Sequence, residues 1–219
     1  MTFFRTAIAL VFALGLSACG AYDLSSRNAT PEEALKGAAA VQALAPINVV
    51  DARITVPRSL QVSEANSYYP SGDIVWRGDA HGDRYAQIEA ILTESMAIAQ
   101  DGHKGSTPAV VEITLKRFHS LSEKTRYSVG GVHSIRFDLT LRDPKTGEAL
   151  APTREIRADL KEYGGDRAIE AERQGLTQKL RVTRHLANVL RSELEQPGSM
   201  TGRRGVTQLV AGLETGKPI

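Results

Sequence analysis

Ser134–Asp143 reads "SIRFDLTLRD", in which Ile135, Phe137, Leu139 and Leu141 alternate with Arg136, Asp138, Thr140 and Arg142. A period of two places four apolar side chains on one face of a strand, whereas a helix would scatter them around its axis. One face is apolar and the other charged. Such a strand belongs to a sheet that packs on helices at one side and meets water at the other.

Strand signals continue on either side. Downstream, "DPKTGE" (Asp143–Glu148) is a turn-rich hairpin connection leading to "REIRADLKEY" (Arg154–Tyr163), where Ile156, Ala158 and Leu160 repeat the alternation. Upstream, "AVVEITLKRF" (Ala109–Phe118) sets Val111, Ile113 and Leu115 against Glu112, Thr114 and Lys116. Before it the period lengthens: Tyr85, Ile88, Leu92, Met96 and Ala99 form a helical stripe, with Asp83 placed to cap its start and Asp101-Gly102 to stop it. "DIVWRGD" (Asp73–Asp79) offers a short strand. "INVVDARITV" (Ile47–Val56) offers a half-buried one, with Val50, Ala52, Ile54 and Val56 inward and Pro57 at its end.

From Asp166 to Glu195 one long helix is expected, striped by Ile169, Leu176, Leu180, Thr183, Ala187, Leu190 and Leu194. Gly175 within it costs about 1 kcal/mol relative to alanine and marks a weak point. The expected fold is therefore α+β: an antiparallel sheet of about four strands with two helices packed on one face.

Residues 1–18 have the anatomy of an export signal. Arg5 precedes an apolar run from Thr6 to Leu16, which is too short for a membrane span of about 20 residues. The run ends Leu16-Ser17-Ala18-Cys19, and Cys19 is the only cysteine among 219 residues. These four residues resemble the lipobox of bacterial lipoproteins. The resemblance implies diacylglycerol on the Cys19 thiol, cleavage before it, and a further acyl chain such as palmitate on the new amino terminus. Acyl chains buried at about 0.8 kcal/mol per methylene make a lasting anchor once two or more are present. Gly20 after the cysteine implies sorting to the outer membrane. Residues 19–46 then read as acylated cysteine and tether, 47–196 as the folded domain, and 197–219 as a mobile tail.

Composition narrows the function. Without the leader, 26 basic side chains face 25 acidic ones, which lacks the basic excess of a nucleic-acid binder. One cysteine permits no intramolecular disulfide and no cysteine-based zinc cage. Of the five histidines, no pair has helical ligand spacing. His119 and His133 flank "SLSEKTRYSVGGV" and would meet at a hairpin base, but as surface neighbours rather than metal ligands. The aspartates of "GDIVWRGDAHGD" (Gly72–Asp83) are spaced for turns and caps, not for calcium. No nucleophile elbow or phosphate-cradling loop is present. No catalytic residue, metal or cofactor is expected, and the protein is not read as an enzyme. The one candidate binding segment is the loop carrying Lys124, Arg126, Tyr127, Gly130 and Gly131, where basic, aromatic and turn-forming residues lie together.

The runs "SEAN" (Ser63–Asn66), "DIVWRGD", "RFH" (Arg117–His119) and "GVHSIRF" (Gly131–Phe137) resemble a family of uncharacterised Gram-negative lipoproteins, a domain of unknown function covering most of the chain after the tether. The order of elements has a more distant likeness to auxiliary lipoproteins of envelope ABC transporters. Together these imply an outer-membrane, periplasm-facing, lipid-anchored protein that binds another envelope component without catalysis. The alternative is an auxiliary lipoprotein binding lipid or a small apolar ligand for envelope transport.

Overall fold

The computed structural model describes residues 44–200, so the leader, Cys19 and most of the tether, like the tail after 200, lie outside the described residues. Ten elements follow one another: β1 (Ile47–Thr55), β2 (Ile74–Val75), α1 (Arg84–Gln100), β3 (Thr107–His119), α2 (Glu123–Arg126), β4 (Gly131–Arg142), β5 (Arg154–Arg157), β6 (Leu160–Glu162), α3 (Asp166–Arg173) and α4 (Gln178–Glu195). The four-strand, two-helix expectation is thus corrected to six strands and four helices among the described residues. The α+β class stands.

The sheet runs β1-β3-β4-β5, with β2 beside the far end of β3 and β6 beside the start of β4. β3–β4, β4–β5 and β4–β6 are antiparallel as read. β1 and β2 are parallel to β3, which corrects the all-antiparallel sheet. The reason is the helix between them: a β-α-β crossover brings the chain back to the end it started from, so the two strands must run the same way.

Alternation in β4 is realised. Ile135, Phe137, Leu139 and Leu141 are buried and join Val111, Ile113, Leu115, Phe118 and Ile156 under α1 and α4. Trp76 packs edge-on against Phe118, with ring centroids 5.5 Å apart. The opposite face is charged and self-neutralising. Arg53 and Arg142 both meet Glu112, and Lys116 bridges Asp138 and Glu155.

β1 departs from expectation at Val50, which is 51% exposed rather than inward. The register slips between Val49 and Asp51, so Val50 is the extra residue of a β-bulge, and the inward parity changes from Ile47 and Val49 to Ile54 and Val56.

"REIRADLKEY" is two strands, not one. At the break the Asp159 carboxylate accepts from the Ile135 N–H at 3.2 Å, replacing a ladder bond. The expected last helix is also two. Gly175 has φ +78°; the Leu176 N–H reaches the Ala171 carbonyl at 2.8 Å and the Gly175 N–H reaches Glu172 at 2.9 Å. That pairing is a Schellman stop. Thr177 then caps the next helix, its hydroxyl accepting from the Leu180 N–H.

Residues 197–200, expected to begin the tail, fold back on α4. The buried Glu193 carboxylate accepts from the Gly198 and Met200 N–H groups at 3.0 and 2.7 Å and pairs with Arg154 at 2.9 Å. A turn of residues thereby satisfies a charge that the core would otherwise reject.

Candidate binding tip

β3 fixes the geometry of the site. Its 13 residues span about 40 Å at roughly 3.3 Å each. Ile47, where the chain enters the sheet, pairs with Thr107 at one end of β3; His119 lies at the other. The His119 end carries α2, the Tyr68-Tyr69 turn and the start of β4, and is called the tip below.

The loop expected from Lys124 to Gly131 is ordered here into α2 and the first residue of β4. Ser122 caps the helix by accepting from the Thr125 N–H, and its hydroxyl donates to the Ser67 carbonyl at 2.6 Å. Thr125 Oγ1 donates to the Tyr68 carbonyl at 2.9 Å, and Asn66 Oδ1 accepts from the Lys124 N–H at 2.8 Å. The turn 66–69 and α2 are therefore one surface.

Gly130 does not confer freedom, and Gly131 is the first residue of β4, where a Cβ would meet only the Leu121 and Thr125 side chains. A Cβ on Gly164 would lie 2.2 Å from Gly130 N, and one on Gly130 would lie 2.8 Å from Gly164 N. Gly130 and Gly164 let backbone cross backbone.

Beneath this surface lies a chain of buried polar groups. Arg126 is buried, not displayed as the loop reading supposed, and its Nη1 donates to Gln178 Oε1 at 3.2 Å. An arginine can only donate, so the amide of Gln178 turns its nitrogen toward Ser120 and donates to Ser120 Oγ. The Ser120 proton is then free for His133 Nδ1 at 2.9 Å. His133 Nε2–H donates in turn to Glu162 Oε2 at 3.1 Å. Glu162 also accepts from the Tyr163 N–H at 2.9 Å and pairs with Arg181 at 3.0 Å.

Every link points the same way, from a cation that cannot accept to a carboxylate that cannot donate. His133 must be neutral with its proton on Nε2, because a proton on Nδ1 would face the Ser120 proton. Burial pushes the imidazole below its ordinary value, against the pull of Glu162. Burial alone would raise Glu162; the bonds from His133 and Tyr163 and the charge of Arg181 outweigh it and hold the carboxyl well below the carboxylate range.

Serine, histidine and glutamate in sequence invite comparison with a hydrolase triad. Ser120 is 1% exposed, and its hydroxyl is committed between Gln178 and His133. The arrangement braces α4 and β6 against β3 and β4. His119 does not meet His133: it lies on the other side of the pleat and bonds the Pro70 carbonyl at 2.9 Å. Among the described residues no three His, Cys, Asp or Glu converge as metal ligands, and no helix is long and apolar enough to cross a membrane.

The tip shows large apolar and aromatic side chains to solvent. Of seven exposed large hydrophobic or aromatic side chains among the described residues, five are here: Tyr68, Tyr69 (91% exposed), Tyr127, Val129 (75%) and Val132. Tyr127 is steadied by Glu172, to which its hydroxyl donates at 3.1 Å. Glu172 also lies 2.9 Å from Arg126 Nη2, out of line for a hydrogen bond, so this buried guanidinium is only partly satisfied.

The sequence runs that suggested a family converge on the same place. Glu64 of "SEAN" binds buried Arg84 at 2.7 Å and Arg77 at 2.9 Å. Asn66 holds α2, "RFH" supplies Phe118 and His119, and "GVHSIRF" supplies His133. Residues 47–209 match a family of unknown function, DUF6778. The chain belongs to that family. Among curated proteins none matches it. One solved structure that it resembles, from Caulobacter crescentus CB15 and described as a "putative lipoprotein", is 16% identical over 53% of this chain and 83% of that one. The TM-score between that structure and this member of DUF6778 is 0.29.

Proposed function

We propose that this DUF6778 member is a lipid-anchored, non-enzymatic binding component of the bacterial envelope, facing the periplasm from the outer membrane, whose tip binds another protein. The observation that carries the reading is the gathering of exposed Tyr68, Tyr69, Tyr127, Val129 and Val132 at one end, about 40 Å of strand from where the chain enters the sheet. Clustered exposed apolar side chains favour a partner, and tyrosine is enriched where proteins meet. The buried polar chain under α2 fixes this surface before binding, which lowers the ordering cost of association.

The transport reading, a lipid or apolar-ligand carrier, is supported less well. The space beneath α4 is filled by Val182, Leu186, Val189, Leu190 and Leu194. A half-open depression of about 250 Å3 lies elsewhere, between Ala52 and Ile54 of β1 and Glu89, Thr93, Met96 and Gln100 of α1. Ligand sites generally occupy about 300–1,000 Å3 and enclose most of their guest.

Native mass spectrometry of the full-length protein, extracted gently from its own membranes, tests the reading. A second polypeptide at fixed stoichiometry is expected, lost in Tyr69→Ser without a change in melting temperature. A bound phospholipid beyond the anchor, with no second chain, would support the carrier instead. The anchor has a separate check: Cys19→Ala should yield an unlipidated precursor, and an acylated mature form of that variant would refute the lipobox.

A further inference from the structure

The tip's charge names the kind of partner. Val132 pairs across the ladder with Lys161, so the apolar strip is continuous with an ammonium group. Lys124 Nζ lies 4.7 Å from the centre of the Tyr68 ring, and the Arg167 guanidinium 4.9 Å from that of Tyr163. Tyr163 adjoins Gly164, whose backbone touches Gly130. Exposed Lys124, Lys161 and Arg167 thus interleave with Tyr68, Val132 and Tyr163. Among the described residues none of the three cations pairs with a carboxylate.

The nearby acids are occupied. Glu123 is engaged by Arg77 at 3.4 Å, Glu172 by Arg126 and Tyr127, and Glu162 by His133 and Arg181. Asp73, Asp159 and Asp166 have no cation partner among the described residues, but the half-buried Asp73 and Asp159 carboxylates accept from the Gln61 and Ile135 N–H groups, and only Asp166 is exposed. Exposed Lys124, Lys161 and Arg167 beside the apolar strip, with Asp166 the exposed unpaired acid among them, give the tip a positive field on a chain that is otherwise close to neutral.

We infer that the partner presents an acidic protein surface, its carboxylates meeting Lys124, Lys161 and Arg167 around an apolar centre that receives Tyr69 and Val129. The inference rests on the reading of the tip as a protein-binding surface. Like-charged surfaces are repelled by such a patch, and opposite charge both steers approach and sets orientation.

The test places a benzoylphenylalanine photocrosslinker at position 69 of the full-length protein in its native membranes, with irradiation at 50 and 500 mM salt. A second protein carries in addition Lys124→Gln, Lys161→Gln and Arg167→Gln. These are exposed positions, and an unchanged melting temperature confirms folding; Lys161→Gln alone serves if the triple variant unfolds. The expected result is an adduct with a protein whose crosslinked peptide lies on a carboxylate-rich surface. Its yield should fall about tenfold in high salt, and by a similar factor in the triple variant at low salt. A protein adduct indifferent to both salt and the substitutions would overturn the acidic partner while leaving a protein-binding tip intact. An adduct with lipid alone, or none at all, would remove the binding reading and this inference together.

Discussion

His133 contributes to how the protein responds to acid, together with His185, which burial also pushes below its ordinary value. The His133 imidazole is buried neutral with its pKa below the ordinary value, so the unfolded chain takes up a proton there that the folded one refuses. Stability is full above the unfolded pKa of about 6.5 and falls as pH drops below it, because protonation favours unfolding. Glu162, also depressed, adds to the loss in the same direction at lower pH. Arg126 and Arg181 face the same chain of bonds. Thermal melting should therefore decline from pH 7 to pH 5. His133→Gln should melt lower at pH 7 yet decline less steeply over this window, and an unchanged slope would show that His133 is not a group responsible. At the neighbouring crossing, Gly164→Ala forces a Cβ against backbone rather than a movable side chain. About 2 kcal/mol should be lost, or roughly 4–8 °C for a domain of this size. A melt within a degree of the parent would mean that the two backbones can separate freely.

At the scale of elements, legibility followed how local the deciding interaction was. β4 was readable because its ladder with β3 is long and one face is wholly covered, so its parity never changes. β1 was not, because its bulge is set by the register with β3, sixty residues away. The break in the last helix had left its mark: Gly175-Leu176-Thr177 supplies a left-handed stop, its apolar follower and the next cap in succession. The apolar stripe ran across all three and hid them. The buried polar chain had a mark as well. His133 shares the inward parity of Ile135 and Phe137, and Glu162 that of Ile156, Ala158 and Leu160, so two ionisable groups stood at core positions. Ser120 and Gln178 lay outside any such pattern, and only the fold brings them in. The return of 197–200 onto α4 also depended on one buried acid. Glu193→Ala strips Arg154 and two N–H groups of their acceptor, and about 3 kcal/mol should be lost. Urea denaturation with an unaltered midpoint would show that these residues are held by something else.

Over the whole molecule, the segment from Lys124 to Gly131 that stood out in the sequence lies at the tip, but its residues divide in what they do there. Lys124 and Tyr127 are displayed, whereas Arg126 is bonded beneath α2 and Gly130 lets the chain after it cross Gly164. Two of the five exposed side chains, Tyr68 and Tyr69, come from a turn that composition alone does not join to α2. Hydrogen bonds from Asn66, Ser122 and Thr125 join them, and those partners are more than fifty residues apart in sequence.

The extra residue in β1 has a consequence for how copies of this protein behave when packed side by side. β1 is the outermost strand, and its unpaired edge would accept a neighbour's strand if it were straight. Val50 breaks the run near its middle, and Asp51 spends its carboxylate on its own strand, accepting from the Ala52 N–H at 2.9 Å and from Arg53 at 3.2 Å. Proteins confined to a surface meet at far higher local density than in bulk, where a smooth edge would seed stacking from one copy to the next. Removing Val50 would restore an uninterrupted edge, and sedimentation at increasing concentration should then reveal chains of copies where the parent remains dispersed.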